Sequence, residues 1–126
     1  MDFANDTFKW ALYNGSSHDA NTSAYTTVSE ASGTGYTAGG VAAAGATQAT
    51  DTSNNVSYYD WTTDPSWATS TITATDVMLY DDTVAAPTAN VTIGVFDFSG
   101  SRSSSSGTFS VVLPAAAAAT AVVRLA

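Results

Sequence analysis

Apolar and polar residues alternate in short runs along this chain, and no run keeps a 3.6-residue apolar period beyond one or two turns. Thr7–Asn14 sets the pattern, with Phe8, Trp10 and Leu12 on one face. A period of two predicts a strand, and Asn14-Gly15 supplies the turn that ends it. Val56–Trp61, Ser70–Tyr80, Val91–Phe98, Thr108–Leu113 and Ala121–Leu125 are read as further strands from their β-branched and aromatic content. Ser70–Tyr80 is long enough to carry a bulge near Thr75-Asp76, and Val91–Phe98 looks like a central strand.

Turn clusters separate these runs. Asp51–Asn55 is one, Asp64-Pro65-Ser66 another, and Asp81-Asp82 opens a loop that runs through Pro87. Ser16–Ser23 and Ser99–Ser106 read as loops. Ala24–Glu30 fits either a short strand or a helical turn. Val41–Ala49 is small and bland, suited to a strand lying under something bulky. Pro114 and the alanines after it suit a single helical turn, because proline fits the first helical position. Many short strands joined by turns predict one all-β domain over residues 1–126, an antiparallel β-sandwich or barrel-like fold with long Gly/Ser/Thr-rich loops. Residues 1–6 form an N-terminal arm.

Glu30–Gly40 departs from this pattern. Four glycines in eight positions surround Tyr36. Glycine serves where φ is positive or where backbones approach closely. The segment therefore reads as a shaped loop with one aromatic anchor. Tyr36 either plugs the core from it or meets a neighbouring subunit.

Composition narrows the function. The chain has 126 residues and a net charge of −8, with Lys9, Arg102 and Arg124 as its only cations. Three scattered cations cannot form the positive patch that nucleic acid requires, and an anionic membrane surface is disfavoured for the same reason. Charged residues make up 11% of the chain, against the roughly 25% of an ordinary globular protein, so hydroxyls must carry much of the solubility. There are no cysteines, which removes disulfides, thiolate zinc sites and thiol catalysis. Met1–Asp6 lacks the basic and apolar regions of a signal peptide, so synthesis in the cytoplasm is expected. No stretch approaches the ~20 apolar residues of a membrane span.

Candidate chemistry is sparse. His18, the single histidine, sits beside Asp19 in a polar loop without an evident oriented partner. Asp76, Asp81 and Asp82 could attract calcium, but their spacing is not that of a calcium loop, and an acidic turn explains them. Asp60 and Asp64 near Trp61 and Trp67 resemble the parts of a sugar-binding platform. The Asn-X-Ser/Thr matches, such as Asn55-Val56-Ser57, carry little weight in a chain so rich in Ser and Thr. The glycines have no Lys-Ser/Thr pair after them and make no phosphate cradle. No residues are assigned to catalysis, metal or cofactor, and the chain is not expected to be an enzyme.

Several segments nevertheless resemble, in order, a family of small tailed-bacteriophage virion proteins. They are Phe8–Tyr13, Ala24–Thr27 leading into Glu30–Gly40, Trp67–Ala74, Val77–Asp81, Val95–Gly100, and Gly107–Val111 with Leu113-Pro114-Ala115. The glycine–tyrosine segment is the most specific. Val41–Ala44 is less bulky than the family pattern, and Lys and Arg are unusually scarce. The resemblance implies a capsid cement or decoration protein on the outside of a phage head. Its partner would be the major capsid protein. It would act as a homo-oligomer, a trimer being favoured at local threefold positions, with Met1, Asp2, Phe3 and Tyr36 as the contact residues. A tail, neck or fibre component is the nearest alternative, and a surface carbohydrate-binding module using Trp61 and Trp67 is the next.

Overall fold

The computed structural model describes residues 1–15, 18–19 and 21–125. The chain is all-β, and the described residues contain no helix. Among the described residues nine strands run in order: β1 (Phe8–Tyr13), β2 (Val41–Ala42), β3 (Ala46–Asp51), β4 (Val56–Trp61), β5 (Ser66–Ser70), β6 (Thr73–Asp81), β7 (Thr92–Ser103), β8 (Gly107–Ser110) and β9 (Val123–Leu125). They form three sheets, ordered β2-β1-β6-β7, β3-β4-β9 and β5-β8, and the sheets do not close into a barrel. Every pairing within the four- and three-stranded sheets is antiparallel. The chain resolves into two compact units interleaved in sequence: residues 1–42 with 66–109, and residues 43–65 with 110 onward.

The first unit holds the four-stranded sheet. Phe8, Trp10 and Leu12 are buried on one face of β1, as the alternation predicts. Ala11 and Tyr13 on the opposite face are buried too, clustering with Met78 and Tyr80 of β6. The strand is therefore covered on both faces. Six register pairs, from Phe8↔Asp81 to Tyr13↔Asp76, hold β1 to β6. The bulge expected at Thr75-Asp76 is present. Ala74 pairs with Arg102 and Asp76 with Asp97, so four β7 residues stand against Thr75 alone. Ser99 and Gly100 lie in that bulge at φ 55° and 137°.

Three expectations change here. β7 is an edge strand, not a central one, and it continues through much of the Ser99–Ser106 segment read as loop. The rest of that serine run is tied down. Ser104 N–H donates to Ile72 O at 2.9 Å, and the Ser70 and Ser104 hydroxyls bond each other at 2.8 Å. Ala24–Glu30 forms neither a strand nor a helical turn. Single bridges, Ala24↔Val91 and Tyr13↔Glu30, pin its ends. The loop expected over Ser16–Ser23 lies partly outside the described residues.

The second unit is built on the β3–β4 hairpin, whose turn is the Asp51–Asn55 cluster. Asp51 accepts from the backbone N–H of Ser53 and Asn54 and from the Asn54 amide. That last bond holds the Asp51 carboxyl below its usual range. The strand expected over Val41–Ala49 is split at Gly45, and β3 side chains are mostly exposed rather than covered. Beyond Pro114 a single turn closes where Thr120 and Ala121 N–H donate to Ala117 O.

Candidate functional site

The glycine–tyrosine segment lies along the edge of β1. β2 pairs only with Lys9 and Trp10, so the remaining backbone of β1 needs other partners. Ala31 N–H donates to Leu12 O at 2.8 Å, and Asn14 N–H donates to Ser29 O at 2.9 Å. Leu12 N–H donates to the Tyr36 hydroxyl at 3.0 Å. A side-chain oxygen thus takes the place of a strand carbonyl.

Glu30, the only glutamate in the chain, organises this contact. Its Oε1 accepts from the Tyr36 hydroxyl at 2.8 Å and from Gly39 N–H at 2.7 Å. Its Oε2 accepts from the Tyr25 hydroxyl at 2.7 Å. Tyr80 donates to Gly39 O at 2.9 Å, and Tyr13 donates to Thr26 O at 2.7 Å. The Tyr25 and Tyr80 rings stack at 4.7 Å, and Tyr36 leans on buried Trp67 at 5.9 Å. Burial first, then the bond to Glu30, pushes the Tyr25 hydroxyl up to about 12 and raises Tyr36 further. Burial raises Tyr13 and Tyr80 as well. All four phenols are held neutral and act as donors.

The glycines make this approach possible. A Cβ on Gly40 would lie 1.8 Å from Trp10 O, and one on Gly33 would lie 2.2 Å from Thr71 O, both at positive φ. Tyr36 is half-buried, its ring against Trp67 and its hydroxyl committed to Leu12 and Glu30.

The N-terminal arm folds back rather than extending. Phe3 stacks on Phe8 at 5.4 Å, and Asp2 accepts from Ala4 N–H and from the Asn5 amide. The Asn5 bond holds the Asp2 carboxyl below its usual range. Of the arm residues expected to meet a partner, Met1 and Asp2 are exposed and Phe3 is half-buried.

A cleft of about 700 Å³ opens beside the bulge, lined among others by His18, Asp19, Asp76, Asp97 and Thr75. His18 packs edge-on against Tyr13 at 4.3 Å, so it is half-buried rather than free surface. Thr75 donates to Asp76 at 2.6 Å. Among the described residues no group of three His, Cys, Asp or Glu side chains could hold a metal. Asp81 accepts from Thr83 N–H at 2.8 Å, and Asp82 pairs with Lys9 at 2.8 Å, the acidic turn that closes β6. The sugar platform does not form. Trp61 and Trp67 are 1% and 3% exposed and Asp60 is fully buried, leaving no ring face for a pyranose. Asp64 instead accepts from Leu113 N–H at 2.8 Å.

Comparison with known proteins finds no matching family model, no matching curated protein and no matching solved structure. No helix among the described residues is long and apolar enough to cross a membrane.

Proposed function

We propose that this chain is a structural protein of a virion, a cement or decoration protein that binds the outside of a phage head and clamps neighbouring coat subunits. The ordered resemblance along the chain suggests it. The observation that carries it is the Glu30–Tyr36 assembly: the segment most specific to the resemblance serves to stiffen a β scaffold. A protein whose work is to hold others in place gains from such rigidity, because ordering costs are met before binding.

The mechanism is linkage. A protein that binds the assembled shell and not its dissociated subunits stabilises the shell by mass action. Cryo-electron microscopy of the particle tests this. Ordered density for the chain across the outer head surface, at a copy number comparable with the coat protein, is expected, and particles lacking it should open at lower temperature. Density confined to the tail or neck would sink the cement reading.

A further inference from the structure

The four strand edges at the ends of the two larger sheets are treated differently. β2 has two residues and β9 has three. β7 is long, but residues 23–24 cover its start, and the Ser99–Gly100 bulge breaks its middle. Short strands and bulges are the usual guards against edge-to-edge pairing. β3 has neither. It runs six residues in unbroken register with β4, from Ala46↔Trp61 to Asp51↔Val56. Among the described residues its backbone bonds to no other strand. Ala46, Thr47, Gln48 and Thr50 are exposed. It contains no proline and no lysine, and its one charge is the terminal Asp51.

We propose that β3 is a self-association edge, pairing antiparallel with β3 of a second copy about a twofold axis at Gln48. The occupant follows from charge and register. In a chain of net charge −8, most surfaces repel a second copy. On β3 the twofold sets Gln48 opposite Gln48, and Ala46 of each copy opposite Thr50 of the other. Asp51 falls opposite Gly45, so no like charges meet. Ala46, Gln48 and Thr50 turn their backbone groups away from β4, because Thr62 N–H donates to Gly45 O at 2.9 Å and the ladder alternates from there. An isologous contact closes at two copies. The two β3-β4-β9 sheets then join into one six-stranded sheet. This dimer is independent of the virion reading, and it puts a twofold where lattice symmetry alone suggested a threefold.

Sedimentation equilibrium of the unmodified chain comes first. The mass should double from 12.8 kDa with rising concentration. A monomer up to about 1 mM overturns the proposal. In the same protein, β3 amide protection should rise with concentration, and protection that stays constant through dimerisation places the contact elsewhere and overturns it. Ala46→Lys with Thr50→Lys sets two lysine pairs face to face and should abolish the dimer while circular dichroism stays unchanged. Ala46→Lys with Thr50→Glu converts those pairs to opposite charges and should restore it. A dimer that survives the double lysine, or a folded Lys/Glu variant that stays monomeric, contradicts this register.

Discussion

Among the described residues, β1 and β3 each have a side that no full-length strand covers, and the chain treats them in opposite ways. Along β1 the missing partner is assembled from Ser29–Ala31, the Tyr36 hydroxyl and β2. That sealing uses four glycines, the only glutamate and four phenols, two buried and two half-buried. Along β3 nothing among the described residues is supplied. An unpaired strand edge is a template for another chain, so leaving one open has consequences that sealing the other avoids. The difference teaches that the glycine–tyrosine segment is a seal made by the chain itself, while the outer edge of β3 is left open.

The largest effect should come from refilling a glycine in the seal. Gly40→Ala places a methyl group against Trp10 O at positive φ, and should cost about 3 kcal/mol or more in urea unfolding. If it costs nothing, the close approach along β1 is wrong. Glu30→Ala strips three donors of their acceptor and should cost about 2–4 kcal/mol by the same measurement. Tyr36→Phe removes one donor and the acceptor for Leu12 N–H, and should cost roughly 1–2 kcal/mol.

Alkaline pH probes the same network without mutation. Tyr25 has a folded value raised to about 12, above the ordinary tyrosine value near 10. The folded chain therefore keeps its proton where the unfolded chain loses it. That contribution is fully present below about pH 10 and is lost as pH rises through about 12. Thermal melts across that range should fall in temperature, and Tyr25→Phe should flatten the slope. The smallest effect belongs to the open edge. Thr47→Lys, on an exposed side chain, should change monomer stability by less than about 0.5 kcal/mol.

The strands were legible where side-chain period decided them. Phe8, Trp10 and Leu12 announce β1, and Asp51–Asn55 announces the β3–β4 turn. The bulge at Thr75-Asp76 was readable because the run is too long for an unbroken strand. β5 was not, since Asp64-Pro65 reads as a break and Ser66–Ser70 has weak β composition apart from Trp67. The edge position of β7 was hidden because strand order is a tertiary property that alternation does not encode. Glu30 was missed although it is the only glutamate and opens the glycine run. Its role appears only when residues nine or fewer positions away fold back onto its carboxylate. The buried state of Trp61 and Trp67 was equally invisible, because an aromatic beside an aspartate reads the same in a core as on a platform.

Native-state hydrogen exchange tests the seal most directly. The amides of Leu12, Asn14, Ala31 and Gly39 each have a defined acceptor in it. They should exchange only through openings close to global unfolding, as the β1–β6 ladder does. Rapid exchange at Ala31 and Gly39, with β1–β6 still protected, would show residues 30–40 to be a loop free to dock outward and would contradict this account.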